Sequence, residues 1–282
     1  MIKDANKTNL SANVVKDFGS EWKRFNQGSL SVTDQSEIFE SYFNIFPWGR
    51  LPLRARGADI GCGSGRWASL VAPRVGYLHL VDPSGDALAV ARKNLSNAEN
   101  VSFHQVSVDE LPFEHGSLDF AYSLGVLHHI INTQDAIRYI YNILKPDAPF
   151  LIYLYYAFDG RPWWFRALWR ISDMLRRVIS IMPSFIKNLI CEAIAFLIYF
   201  PLSRFALLLE KFCVLPNFWP LAYYRKRKYY VMRTDALDRF GTRLEKRFSR
   251  EEINCMLQSA GFTDIRFSEK QPFWCAVGIK KV

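Results

Sequence analysis

Cysteine is scarce and scattered in this chain. The five cysteines among 282 residues, Cys62, Cys191, Cys213, Cys255 and Cys275, include no C-x-x-C or C-x-x-H spacing. That argues against a zinc site, predicts no metal, and points to a reducing compartment in which the core forms without disulfides. An apolar h-region is also missing behind Met1-Ile2-Lys3-Asp4-Ala5-Asn6-Lys7, so no secretory signal is expected and the protein is read as cytoplasmic. Long hydrophobic runs are lacking too. The most apolar stretch, Leu189 to Leu202, covers fourteen residues and contains Glu192 and Pro201. It is short of the roughly 20 residues that cross a bilayer, and is expected not to span. No internal repeat is apparent. Half of the residues are nevertheless apolar, enough for a sizeable core, and the length suits one domain plus an insertion better than two independent domains.

Two phosphate-binding patterns are absent as well, and their absence is informative because a glycine-rich turn is present. Ala58-Asp59-Ile60 reads as the end of an apolar strand, followed by Gly61-Cys62-Gly63-Ser64-Gly65-Arg66-Trp67. Alternate glycines let a backbone approach a ligand before a helix begins. Asp82, ending Leu80-Val81-Asp82, lies 23 residues beyond Asp59, the separation at which a βαβ unit brings a carboxylate to ribose hydroxyls. The dinucleotide fingerprint G-x-G-x-x-G fails, since its sixth position is Arg66, and no G-K-[ST] follows. A nucleoside fits this turn better than a phosphate chain does.

Hydrophobic periodicity extends the reading along the chain. Strands are expected at 56–60, 77–82, 100–106, 118–123 and 149–155, and helices at 64–73, 84–96 and 133–144. This alternation is that of an α/β, doubly wound parallel sheet, with ligands at the carboxyl ends of the strands. A polar tail, 1–17, precedes Phe18, Trp22 and Phe25 on one helical face, and a second helical pattern runs from Ser36 to Phe46. Near the C-terminus, Ser249-Arg250-Glu251-Glu252 resembles an N-cap with an acidic first turn before a helix Ile253 to Ser259, stopped by Gly261. Strands are expected at 263–268 and 273–279.

The strand ending in Asp, the G-x-G-x-G turn and the acidic end of the next strand resemble class I S-adenosylmethionine (SAM) dependent methyltransferases. The likeness continues through Val108-Asp109-Glu110-Leu111-Pro112-Phe113, Gly116 to Ser123, Gly125-Val126-Leu127-His128-His129 and Leu144-Lys145-Pro146, covering about residues 50 to 156 and, more weakly, those after 248. The chain resembles the broad group that includes quinone-biosynthesis and small-molecule methyltransferases. The resemblance implies a seven-stranded, mostly parallel Rossmann-like sheet with an antiparallel edge hairpin. It implies SAM as cofactor, with Asp59, Gly61, Cys62, Gly63 and Gly65 at the methionine end, Asp82 on the ribose, and Pro83 and Ser84 beside the adenosine. Family members usually carry an acid where this chain has Ser107, so the adenine is expected on Ser107, Val108 and Asp109, with Ser123 and Leu124 also lining the cofactor. His128 and His129 are the candidate catalytic bases for a hydroxyl acceptor, although such a pair also serves merely to order its loop.

What departs from this pattern is the insertion 157–247. From 157 to 235 it carries thirteen Lys or Arg against five Asp or Glu, nearly the whole net charge of +9. Trp163, Trp164, Phe165 and Trp169 cluster early, and Tyr223, Tyr224, Tyr229 and Tyr230 bracket Arg225-Lys226-Arg227-Lys228. Three readings apply: a helical lid over the acceptor, a peripheral contact with the anionic inner face of a membrane, and an RNA clamp. The organisation is therefore read as an N-terminal tail with cofactor-covering helices (1–50), a SAM-binding core (51–156), the basic aromatic insertion, and the C-terminal part of the core (248–282). The expected activity is methyl transfer to a small-molecule or lipid-linked acceptor. The alternatives are a tRNA methyltransferase and a catalytically silent SAM-binding scaffold. Oligomeric state is open.

Overall fold

A computed structural model describes residues 15, 32–214 and 219–281. The aromatic face at Phe18, Trp22 and Phe25 lies outside these residues, as does the polar tail apart from Val15. The chain forms two units, one running to Asp159 and resuming at Leu244, the other spanning Gly160–Arg243.

In the first unit the apolar runs become strands β1 Arg56–Ile60, β2 Tyr77–Val81, β3 Val101–His104, β4 Phe120–Leu124, β5 Pro149–Tyr153, β6 Phe262–Phe267 and β7 Cys275–Lys280. They form one seven-stranded sheet in the order β3-β2-β1-β4-β5-β7-β6. The first five run parallel, while β7 pairs antiparallel with both β5 and β6. Strand order reverses between β1 and β4, which places their carboxyl ends at the crevice where a doubly wound sheet binds ligands. The expected sheet, including its edge hairpin, is the one observed.

Side chains alternate between two cores. Phe120 and Tyr122 of β4 point to a layer with helix α1 (Val32–Phe43), while Ala121 points to the opposite one. The first layer is aromatic: Phe39 stacks on Phe43 at 4.2 Å between ring centroids, and Trp48 meets Phe46 at 4.7 Å. Each such buried ring stabilises the fold by about 2 kcal/mol. The short helix α2 (Ala68–Val71) starts four residues later than the periodicity suggests, because the chain from Gly61 to Trp67 is spent on turns; it then tightens into a 3-10 turn at Ala72–Arg74 containing Pro73. Helix α3 (Gly85–Asn94) is capped by Ser84, whose Oγ accepts from Ala87 N at 3.3 Å, and helix α4 (Thr133–Ile143) buries Ile137 and Ile140 against the second face.

The second unit is helical throughout. It contains α5 (Trp163–Ser180), then α6 (Ser184–Ile194), a π turn Ala195–Tyr199 and α7 (Phe200–Lys211), a 3-10 turn Ala222–Lys226, and α8 (Tyr229–Gly241). α6, the π turn and α7 make one continuous helix, Ser184–Lys211, of 28 residues. The sequence reading of a fourteen-residue apolar stretch is thus corrected: among the described residues this helix is long and apolar enough to cross a membrane by length and composition. Pro201 does not end it. It sits in the first turn after the π turn, where a missing N–H is tolerated. Met232, Ala236 and Phe240 of α8 are buried, with Cys191, Ala195 and Ala206.

The first unit closes with helix α9 (Arg250–Ala260), which packs against α4 and begins with a capping box between Ser249 and Glu252. Ser249 Oγ accepts from Glu252 N at 3.1 Å, and the Glu252 carboxylate accepts from Ser249 N at 2.7 Å. Ser249→Ala removes one arm of the box and is expected to cost about 1 kcal/mol in a urea titration; an unchanged midpoint would contradict this role.

Candidate cofactor and acceptor site

The glycine turn is clamped from both sides. Gly61 N and Cys62 N donate to the Val81 carbonyl oxygen at 2.7 and 3.0 Å, tying the end of β1 to the end of β2. Asp82, next in the chain, then accepts from Gly63 N through Oδ2 at 2.9 Å and from Ser84 N through Oδ1 at 2.8 Å. One carboxylate therefore fixes the turn after β1 and the start of α3 together. Gly61 has φ +78°, a conformation L side chains rarely adopt, and a Cβ there would lie 2.4 Å from Val126 Cγ1. The loop after β4 is seated directly on this glycine.

Asp59 is the next-to-last residue of β1, just before the turn. Its side chain is buried, and Oδ2 has no hydrogen-bond partner, as is also true of Ser64 Oγ. Burial pushes the Asp59 carboxyl up to about 8, opposed by the adjacent Tyr122 hydroxyl and reinforced by the nearby Asp82. Asp82 rises to about 6: burial outweighs the two N–H groups that favour its charge. Burial and the neighbouring Asp82 and Asp59 push the Cys62 thiol up, which makes it an inert lining group. A buried carboxyl oxygen and a hydroxyl without protein partners, facing a turn of positive-φ glycines, fit a cofactor that brings its own hydrogen-bond donors and positive charge.

Other expected residues fall around this cradle with roles the sequence did not separate. Ser107 Oγ donates to the Asp109 carboxylate, so the serine orients the acid two residues on, and Val108 between them is buried. Ser123 spends its hydroxyl on the Ile60 carbonyl oxygen at 2.8 Å, joining β4 to β1. Leu124 is the last residue of β4 and is buried. Pro83 lies between Asp82 and the α3 cap.

The two histidines diverge. His129 Nδ1 donates to the Leu244 carbonyl oxygen at 2.6 Å, which anchors the loop to the returning chain. His128 is fully buried, stacks on Tyr155 at 3.9 Å between ring centroids, and has no hydrogen-bond partner at either ring nitrogen. Burial, with His129 and Arg247 nearby, holds its pKa well below the ordinary histidine value, so the ring is neutral near pH 7. Tyr155 and Arg247 were not foreseen. Arg247 lies over the Tyr155 ring at 5.1 Å, and Lys246 N donates to the His128 carbonyl oxygen at 3.0 Å. Tyr155 stands just beyond β5, at the carboxyl edge where ligands bind, and that position was the available signal. Nothing in the sequence linked Arg247 to a loop more than a hundred residues earlier.

The raised carboxyls carry a pH signature. An acid whose pKa is higher in the folded chain binds more protons there than in the unfolded chain, so its stabilising effect is full below about pH 4 and is lost as pH rises through its folded pKa. Ligand-free protein is therefore expected to lose thermal stability between about pH 4 and 8, and Asp59→Asn to flatten that decline. Parallel melting profiles for wild type and variant would contradict the assignment.

Part of the chain is similar in sequence, and nearly the whole in fold, to known proteins. Residues 58–152 match the methyltransferase domain family. Phosphoethanolamine N-methyltransferase 2 of Caenorhabditis elegans is 31% identical over 134 residues, covering 46% of this chain and 29% of its own length. The ubiquinone/menaquinone biosynthesis C-methyltransferase of Ectopseudomonas mendocina is 30% identical over 129 residues, covering 41% and 50%. The chain thus spans half or less of these curated relatives. In fold it is similar to a chain of the Haloferax volcanii complex between the Trm112 methyltransferase activator and a methyltransferase, with TM-score 0.55, 14% identity, and coverage of 95% of this chain and 98% of that one. It is also similar to Haemonchus contortus phosphoethanolamine N-methyltransferase 2, with TM-score 0.51, 18% identity, and coverage of 90% and 43%. The chain carries a class I SAM-dependent methyltransferase domain, and the glycine turn, Asp59 and Asp82 lie within the matched stretch 58–152.

Proposed function

We propose that this protein transfers a methyl group from SAM to a small-molecule or lipid-linked acceptor whose nucleophile meets His128. The observation that carries this reading is the grip of Asp82 on Gly63 and Ser84 above the unpartnered Asp59 oxygen. Asp59 and the glycine turn would receive the methionine end of the cofactor. Asp82 would offer its remaining lone pairs to the ribose, and the Ser107–Asp109 pair would meet the adenine. When bound, SAM supplies a methyl group activated by a sulfonium for in-line displacement, so the main task of the protein is alignment.

His128 is the group suited to the acceptor. It is neutral, buried and unpartnered at both nitrogens, and it sits in the loop whose Val126 rests on Gly61. It would accept the nucleophile's proton while His129, tied to Leu244, keeps the loop in place. The acceptor class is supported by the relatives that share this stretch, which are named for phosphoethanolamine and for ubiquinone/menaquinone biosynthesis. A cytoplasmic placement is supported by five free cysteines, of which Cys213 and Cys255 are exposed.

The test is incubation of the purified protein with methyl-labelled SAM and separated lipid, small-molecule and RNA fractions of a cell extract. Label is expected in the lipid or small-molecule fraction. Label confined to RNA would establish the tRNA alternative, and SAM binding with no labelled acceptor would establish the scaffold. His128→Phe keeps a ring against Tyr155 and is expected to lower turnover by roughly 10²- to 10⁴-fold while sparing SAM binding. Unchanged turnover would remove His128 from the chemistry.

A further inference from the structure

The helical unit Gly160–Arg243 has a small apolar interior but leaves long apolar faces exposed and buries several polar side chains. Along α5 the buried positions include Asp173, Arg176 and Ser180, while Leu168, Ile171, Leu175, Val178 and Ile181 are each at least half exposed. Trp164, Leu168, Ile171, Leu175 and Val178 follow the i, i+4, i+7, i+11, i+14 spacing of one continuous face. The Ser184–Lys211 helix repeats the arrangement: Lys187 and Ser203 are buried, while Phe185, Leu189, Phe196 and Leu197 are at least three-fifths exposed. Soluble monomers rarely expose apolar faces of this extent.

The buried charged groups Asp173, Arg176 and Lys187 are paired within the unit. Asp173 binds Arg176 at 2.7 Å and Arg177 at 3.0 Å, and Arg176 Nη1 donates to the Thr242 carbonyl oxygen at 2.9 Å. Lys187 Nζ donates to the Gly241 carbonyl oxygen at 3.1 Å, and Glu192 pairs with Arg233 at 2.7 Å. Glu210 holds Arg225 and Lys226 at 3.0 and 3.1 Å.

Charge then says what covers the outer face. Gly160–Arg243 contains fifteen Lys or Arg and five Asp or Glu, a surplus of ten against a net charge of +9 for the whole chain. Four of the five acids, Asp173, Glu192, Glu210 and Asp235, are occupied by partners within the unit. Arg166, Arg170 and Arg177 are exposed and run along one border of the α5 stripe. An apolar face with Trp163 and Trp164 exposed at its start and arginines along its edge suits the boundary between lipid headgroups and acyl chains.

We propose that this unit docks in the plane of an anionic lipid bilayer, with the exposed faces of α5 and the Ser184–Lys211 helix entering the acyl boundary and the arginines meeting lipid phosphates. In-plane seating keeps Glu192–Arg233 and Lys187–Gly241 within the protein, whereas a transmembrane path for Ser184–Lys211 would carry those polar groups into hydrocarbon. The inference rests on these faces alone and holds whichever acceptor is methylated.

The test is flotation of the full chain with phosphatidylcholine vesicles and with vesicles containing phosphatidylglycerol. Bound protein is expected to rise about tenfold or more with the anionic lipid, to fall in high salt, and to show tryptophan quenching by lipids brominated near the headgroup end. The double variant Leu175→Glu, Val178→Glu changes two side chains exposed at 55% and 54% and is expected to abolish flotation while preserving circular dichroism and SAM binding. Leu53→Glu, at a fully exposed position of the other unit, is the control and should float as wild type does. Equal flotation on both vesicle types, flotation of the double variant, or quenching restricted to the bilayer centre would overturn the proposal. So would a lipid-free dimer that the double variant disperses without any vesicle binding, since a second copy would then be the natural cover.

Discussion

Asp82 accepts two backbone N–H groups, one from each side of the crevice, and the rest of the cradle depends on that pair of hydrogen bonds. Gly63 belongs to the turn after β1, and Ser84 caps α3 after β2. With both held by one side chain, the turn is fixed in a conformation only glycine adopts readily, and the Val126 loop can settle onto Gly61. Burying this carboxylate beside Asp59 is costly. The cost appears as the raised pKa of both acids, a form of strain that a cationic ligand would relieve.

The same economy of groups separates scaffold from chemistry. Ser123, His129 and Ser84 each commit a polar atom to the backbone or to a cap. His128 and Asp59 commit none at the atoms left unpartnered in the interior. In a well-satisfied interior such exceptions call for an explanation, and a ligand is the one proposed for these two. The contrast between two adjacent histidines, one anchoring a loop and one without a hydrogen bond at either ring nitrogen, is the observation behind the acceptor role proposed for His128.

Much of the crevice was legible in sequence because glycine, aspartate and strand periodicity act locally: Asp59, Gly61 and Asp82 stand where a βαβ unit must put them. The late start of α2 was signalled only by Gly65, whose φ of +73° keeps this stretch out of the helix but whose residue type alone does not require it. Tyr155 and Arg247 escaped for another reason. They reach His128 only through the pairing of distant segments, Tyr156 with Phe248 among them, and periodicity carries no such information. The continuous helix through Pro201 was misread because proline is a breaker in a helix interior, and the π turn that accommodates it has no sequence signature. The outward-facing apolar stripe of α5 was hidden likewise: the 3.6-residue period reveals a face but not which side is covered.

The central claim is that the Asp82-braced turn over Asp59 is a SAM site. Isothermal titration of the purified chain with SAM, in two buffers of different ionisation enthalpy near about pH 6.5, tests it most directly. The account expects one cofactor per chain, proton release as the positively charged ligand favours ionised Asp59, and loss of binding in Gly61→Val, whose side chain would collide with Val126. Absence of binding, or binding unaltered by Gly61→Val and without proton release, would contradict it.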